Sequence, residues 1–296
     1  MRVFVTGASG FVGSAVVQEL LKAGHQVLGL ARSAASAKAL EAAGAEVHRG
    51  DLEDLESLRQ GALQADGVIH TGFIHDFSRF KECCETDRGV ITALGEVLAG
   101  TGKPLVVTSG TALLAGLPLA KEDDMPVAAS TAVPRIASEE AAAALASRGV
   151  NISVVRLPPS VHGDGDHGFV PMIAAMAKEK GRSAYIGDGQ NRWPAVHRLD
   201  AAKVYRLALE RNAADARYHA IGDDGVPFRQ IAEVIGKQLD LPVVSLSGND
   251  AAAHFTWFQH FASIDNPVSS AQTRELLQWA PDQISLMEDI DRPAYF

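Results

Sequence analysis

The sequence predicts an α/β protein: a doubly wound parallel sheet with a smaller C-terminal α/β portion. Three observations carry that expectation. Short apolar runs alternate with longer segments of helical period through the first half of the chain, the repeated βαβ pattern that covers a parallel sheet with helices on both faces. Glycines recur just ahead of the apolar runs, where helices end. After residue 160 the alternation loosens into loops rich in Gly, Pro and Asp.

The strands follow in order as RVFVT (2–6), QVLGL (26–30), AEVHR (45–49), DGVIH (66–70), PLVVTS (104–109) and NISVVRL (151–157), each flanked by an Ala/Leu-rich helical segment. Gly24, Gly44, Gly102 and Gly149 each precede one of these runs, as a glycine closing the preceding helix should. Beyond residue 160, the loops PPSVHGDGDHGFVP and IGDGQNRWPAVH separate helices such as DAAKVYRLALE and FRQIAEVIGKQL. The chain thus divides into a dinucleotide-binding part, 1–160, and a substrate-binding portion, 161–296. The second is expected to be interleaved with the first and not to fold independently. It should pack over the carboxyl ends of the strands, where open α/β sheets bind ligands.

With 47% hydrophobic and 21% charged residues over 296 positions, the composition is that of a soluble globular protein. The net charge of −9 comes without a Lys/Arg cluster, which disfavours nucleic acid and anionic lipid and leaves a small molecule as the expected partner. The N-terminus breaks into Gly7 too early for a signal peptide and no apolar run is long enough to span a bilayer, so a cytoplasmic location is expected. Cys83 and Cys84 are adjacent, a spacing that builds neither a disulfide framework nor a metal site.

Gly7, Gly10 and Gly13 lie between the first strand and the first helix. Gly7 allows the tight turn, Gly10 lets backbone approach a pyrophosphate, and Gly13 lets helix pack on strand, while the helix N-terminus favours phosphate. This is a Rossmann arrangement. After the second strand no acidic residue is present to bind a ribose 2′-hydroxyl; Arg32 and Ser33 instead offer a guanidinium and a hydroxyl to a 2′-phosphate. The expected cofactor is NADP(H).

The Gly-x-x-Gly-x-x-Gly spacing resembles the extended short-chain dehydrogenase/reductase superfamily, which includes nucleotide-sugar epimerases and dehydratases. GDL (50–52), VIHTGF (68–73), VVTSGT (106–111), VVRLPPSVHGDGD, AVHRLDAAKVYRLALE and TRELLQWAP follow the order of that superfamily's landmarks over nearly the whole chain. The resemblance implies cofactor contacts from Gly7, Ser9, Gly10, Phe11, Val12, Gly13, Asp51, Leu52, Thr71, Gly72 and Pro158, with Asp51 at adenine. It also implies a homodimer through helices flanking the sheet.

In that superfamily a Tyr-x-x-x-Lys pair moves the proton during hydride transfer. No such pair occurs here, and the four tyrosines, Tyr185, Tyr205, Tyr218 and Tyr295, all lie outside the cofactor-binding half. Aligned by its helix, PRIASEEAAA puts Arg135 at the tyrosine position and Glu139 at the lysine position, where they are expected to form an i, i+4 pair. Arg135 can hold an oxyanion but cannot act as a general acid. A serine position of the fifth strand is Gly110; Ser109 and Thr111 flank it as hydroxyl donors. His75, Asp76, His162, His167, Asn191, Arg192 and His197 fall in the predicted cleft, and His162 is the first choice to replace the phenol because it holds the tyrosine position of the family's Val-Tyr-Gly turn. HGDGDH carries ligand-type residues at His162, Asp164, Asp166 and His167, but not at a recognised spacing, and no metal is expected.

Phe73, Phe77, Phe80, Phe169, Trp193 and the stretch FTWFQHF (255–261) gather in segments that should roof the cleft. An apolar or aromatic carbonyl or alcohol suits such a roof better than a nucleotide-sugar. The expected function is therefore an atypical NADP(H)-dependent oxidoreductase. Two alternatives stay open: a non-catalytic NADP(H)-binding regulator or redox sensor, and an epimerase or dehydratase that retains its cofactor.

Overall fold

The computed structural model describes residues 1–293 and 295–296. The chain begins with β1 (Arg2–Thr6), α1 (Phe11–Lys22), β2 (Gln26–Ala31), α2 (Ala34–Ala42), β3 (Glu46–Arg49), α3 (Leu55–Leu63), β4 (Gly67–His70), α4 (Phe80–Leu98) and β5 (Leu105–Gly110). It continues through α5 (Ala137–Ala146), β6 (Ile152–Leu157), β7 (Ser160–His162), α6 (Phe169–Lys180), β8 (Ser183–Ile186), β9 (Arg192–His197), α7 (Arg198–Arg211) and β10 (Ala216–His219). The last elements are β11 (Asp223–Pro227), α8 (Phe228–Leu239), β12 (Val243–Leu246), α9 (Gly248–Phe255), α10 (Gln259–Ser263), α11 (Ala271–Leu277) and α12 (Leu286–Ile290).

A parallel seven-stranded sheet in the order β10-β6-β5-β4-β1-β2-β3 forms the centre. Its first six strands in chain order are those read from the sequence, to within one residue at either end. Val3, Phe4, Val5, Val68, Ile69, Val106 and Val107 are buried, as continuous apolar strands between two helix layers must be. One layer holds α1, α2 and α7, whose Val16, Leu20 and Tyr205 share a core with Val5 and Val106. The other holds α3, α4 and α5, with Leu58, Ile91 and Leu145 around Phe4 and Val107. Each such side chain, fully buried, contributes roughly 1.5–3 kcal/mol. Gly24, Gly44, Gly102 and Gly149 have φ of 84°, 88°, 70° and 78°, the left-handed conformation that closes a helix without a Cβ clash.

The C-terminal portion adds a three-stranded sheet, β11-β9-β7, and the pair β12-β8 around Trp193, Phe228, Phe255 and Phe258. The division at residue 160 is not a clean cut. After β7 and β9 the chain returns to the large sheet, laying α7 on α1 and adding β10 beside β6. Contacts such as Thr111 with Asn266 and Phe77 with Trp257 fall beyond the carboxyl ends of β5 and β4. No described helix is long and apolar enough to cross a membrane.

Candidate active site

β1 ends in Gly7, whose φ of 66° starts the tight turn, and the Gly10 amide donates to the Gly7 carbonyl at 2.8 Å. A Cβ on Gly13 would lie 2.0 Å from that carbonyl oxygen, and a Cβ on Gly7 would lie 2.6 Å from the Gly72 nitrogen. Only bare backbone fits here. Gly10 has no side chain to cap α1, so the helix end meets the cleft with its first-turn amides and its positive potential. Ser9 and Gly10 are exposed, and Phe11 and Val12 are half-buried at the same edge. Thr71 donates its hydroxyl to the Thr6 carbonyl at 2.8 Å, and a Cβ on Gly72 would meet Leu52 at 3.0 Å. The ends of β1, β3 and β4 thus bring Gly7, Gly13, Leu52, Thr71 and Gly72 into one cradle. A dinucleotide fits its backbone groups and its glycine surfaces. Pro158 is buried in the turn between β6 and β7.

Beyond Ala31, the last residue of β2, Arg32 is 78% exposed and 3.7 Å from Asp51. Ser33 is the N-cap of α2 and accepts from the Ser36 amide at 3.0 Å, while Arg49 donates to the Ser33 carbonyl at 2.7 Å. Asp51 accepts from the Glu53 amide at 2.9 Å, bracing its own turn. A groove of about 530 Å³ lies between Leu52 and Leu55 on one side and Lys81, Glu85 and Gly89 of α4 on the other. It faces away from Asp87, on the opposite side of that helix.

Arg135 precedes α5 in a single 3-10 turn, Pro134–Ile136, and points back to the sheet. Its Nη1 donates to Asp87 at 3.0 Å and also to Ser138, and its Nη2 donates to the Thr108 carbonyl at 3.0 Å. The guanidinium stands over the Phe73 ring, 4.5 Å from its centroid, and keeps 18% exposure. Asp87 is buried and held from three sides, by Arg135, by Ser138 and by the His70 Nε2 at 2.9 Å; the other ring nitrogen of His70 bonds Thr6 at 2.6 Å. Burial pushes the Asp87 carboxyl up, but the Arg135 charge, His70 and Ser138 outweigh it and hold the group below its ordinary value.

The expected Arg135–Glu139 pair does not form. Glu139 is buried and takes a bidentate grip from the fully buried Arg156, at 2.8 Å to each oxygen, together with the Ser109 hydroxyl at 2.7 Å. Burial again raises this carboxyl, and Arg156 and Ser109 lower it further than burial raises it. The reason is position: the 3-10 turn ends before Glu139, so the two side chains leave the backbone toward different buried partners. Two carboxylate–arginine pairs therefore replace one surface pair.

Ser109 and Thr111 are buried, each with its hydroxyl spent: Ser109 on Glu139, and Thr111 on Asn266 at 3.0 Å. His162 is buried too, its Nδ1 on Asp289 at 2.7 Å and its Nε2 buried without a hydrogen-bond partner among the described residues. Each of these three side chains thus spends a polar atom on bracing the fold. The loop residues of HGDGDH diverge: Asp164 meets Arg292 at 2.8 Å, Asp166 meets Tyr295, and His167 packs edge-on to Phe11. Among the described residues no cluster of three or more His, Cys, Asp or Glu side chains could hold a metal ion. Arg192 pairs with Asp265, Asn191 donates to the Ala262 carbonyl, and His197 caps α7. Asp76 caps the turn before α4. His75 stays accessible beside Phe73 and Phe77, and crowding followed by the Arg135 charge lowers its pKa.

Three participants were not singled out in the sequence. Asp87 is the charged residue on a helix face made of Cys83, Cys84, Val90, Ile91 and Leu94, and that interruption of an apolar 3.6-residue stripe was a legible signal. Arg156 sits inside an apolar strand, where a charge requires a partner. Arg198 donates to Ser14 at 2.9 Å and lies 4.6 Å over the Phe11 ring, which puts a cation beside the glycine turn.

The family model described as the NAD dependent epimerase/dehydratase family matches residues 3–222. The chain belongs to that family. It is 50% identical over 301 residues to an uncharacterized protein of Schizosaccharomyces pombe, covering 100% of both chains. A 2-alkyl-3-oxoalkanoate reductase of Stenotrophomonas maltophilia is 28% identical, over 82% of this chain and 77% of its own. Among solved structures, a dTDP-glucose 4,6-dehydratase from Streptomyces venezuelae with NAD and TYD bound superposes with a TM-score of 0.79 at 19% identity, covering 99% of this chain and 96% of that one. The family match, together with the seven-stranded parallel sheet shared with these solved structures, makes this an extended short-chain dehydrogenase/reductase.

Proposed function

We propose that the protein is an NADP(H)-dependent oxidoreductase acting on a small, partly apolar carbonyl or alcohol, with Arg135 holding the substrate oxygen. The observation that carries this reading is the fixed guanidinium. Asp87, Ser138 and the Thr108 carbonyl fix one side of it at the carboxyl ends of β4 and β5, while the side chain keeps 18% exposure. The nicotinamide, when bound, supplies or takes up a hydride. Gly7, Gly10, Gly13, Thr71 and Gly72 would line its dinucleotide, Arg32 and the start of α2 would hold a 2′-phosphate, and Arg198 adds positive charge beside the turn. Arg135 attracts the negative charge that develops on the substrate oxygen, and because it keeps its own proton, water is the proton source.

Support for a carbonyl substrate comes from the relatives. One is the reductase of Stenotrophomonas maltophilia; another is a quinoline-oxide ketoreductase of Stigmatella aurantiaca, 26% identical over 86% of this chain. Nicotinamide fluorescence titration is the first test. NADPH should bind at least about tenfold more tightly than NADH, and Arg32→Ala should remove the difference, about 1.4 kcal/mol. Equal affinities in the wild type would sink the NADP(H) assignment. Absence of turnover on any carbonyl or alcohol, with cofactor binding intact, would favour the regulator.

A further inference from the structure

We propose that the carbonyl taken by this site is conjugated: an α,β-unsaturated ketone or aldehyde, reduced at its β-carbon with Arg135 holding the enolate oxygen. The inference rests on the oxidoreductase reading above and names the substrate class of that same site.

Reduction of a saturated ketone leaves an alkoxide, an oxyanion at least as basic as hydroxide. Such a product needs a proton in the same step, and a positioned general acid contributes about 10²–10⁴ in rate. Among the described residues, the groups packed around Arg135 are poorly equipped to give one. Arg135 does not deprotonate. The Ser109 hydroxyl is committed to Glu139, and Ser138 to Asp87. Tyr205 is buried behind the sheet against Thr108, and burial pushes its hydroxyl up. The Cys84 thiol is buried and pushed up to about 11. Burial and then the Arg135 charge lower the His75 pKa, which disfavours its protonated, proton-donating form.

An enolate makes a smaller demand. Its charge is delocalised as in a phenolate, and its oxygen is about as basic as tyrosine, near pKa ~10. A permanent cation can hold such an anion until water protonates the carbon. In the step, hydride leaves the reduced nicotinamide and forms a C–H bond at the β-carbon. The alkene π pair moves to join the α-carbon to the carbonyl carbon, and the carbonyl π pair moves to oxygen beside Arg135. Water then gives one proton to the α-carbon, hydroxide departs to solvent, and the carbonyl re-forms. The cofactor is oxidised by two electrons and the C=C bond is reduced by two. The surroundings suit a flat conjugated body: Phe73 under Arg135 continues to Phe80 at 6.2 Å and Phe77 at 5.8 Å, and Phe77 stacks on the 49%-exposed Trp257 at 4.7 Å.

Two measurements test the proposal. First, 4-nitrophenol, whose phenolate mimics the enolate, is titrated by absorbance on the NADP⁺-loaded protein. The bound probe should ionise about 1–3 pH units below the free one, the effect of a nearby opposite charge. Arg135→Gln should abolish that lowering and Arg135→Lys should keep part of it, with NADPH affinity unchanged as the control for folding. A probe that fails to bind, or that binds with its ionisation unmoved in the wild type, overturns the proposal. Second, cyclohex-2-enone and cyclohexanone are compared with NADPH carrying deuterium at C4. Deuterium should appear at C3 of the product, and cyclohexanone should react about 10²–10⁴ more slowly. Deuterium on the carbonyl carbon, or equal rates for the two ketones, overturns conjugate reduction and leaves the oxidoreductase reading standing. No turnover of either ketone by protein that binds NADPH overturns both.

Discussion

Arg135 is a fixed cation whose orientation depends on Asp87, 48 residues earlier in the chain. Asp87→Asn should leave NADPH affinity unchanged while lowering turnover by about 10²–10³, the usual cost of misplacing one oxyanion donor. It should also destabilise the protein by about 3–5 kcal/mol, since a buried pair loses one charge; chemical denaturation reads this. The two buried carboxyls also set an acid limit. Both Asp87 and Glu139 sit below their ordinary values in the native state. Their stabilisation is therefore complete above the unfolded-state values, near pH 4, and is lost as the pH falls through the lower native ones. The thermal midpoint should be flat between about pH 7 and 5 and fall steeply below about 4, less steeply in Asp87→Asn. At this scale the sequence showed that no Tyr-x-x-x-Lys pair occurs and drew attention to Arg135. It did not show the partners, because an ion pair across 48 residues leaves no local pattern, and so Arg135 and Glu139 looked like neighbours on one helix.

Strands and helices were far more legible. The six parallel strands are continuous apolar runs, and the glycines before them occupy the left-handed conformation that helix ends require. The first helix starts with bare backbone, without a side chain at Gly10 or a Cβ at Gly13. Gly13→Ala would place a methyl group 2.0 Å from the Gly7 carbonyl oxygen, so the turn must open. The expected outcome is a loss of about 1–3 kcal/mol in stability and at least about tenfold in NADPH affinity, measured by thermal melting and titration. The strand β10 was missed because ARYH carries little apolar signal in four residues; it pairs because β6 leaves an edge for it. Likewise His162 was placed by its motif position in the cleft, but β7 turns that residue inward toward Asp289.

For the molecule as a whole, the interleaving has a mechanical consequence. α7 covers α1 and β10 extends the large sheet, while Thr111 is tied to Asn266 across 155 residues. A fragment of residues 1–160 loses Tyr205, Leu209 and Tyr218, all buried in the first core. It should show no cooperative unfolding transition, whereas the full chain should unfold in one, by circular dichroism and calorimetry alike. The alternation of apolar runs, the glycine spacing and the absence of the tyrosine–lysine pair are properties of local order along the chain, and these were readable as they stood. The pairing of Arg135 with Asp87, of Glu139 with Arg156, and the bonds of Ser109, Thr111 and His162 to Glu139, Asn266 and Asp289 depend on which distant groups share a low-dielectric interior. Folding alone brings those groups together, because a buried charge settles wherever an opposite charge is within reach.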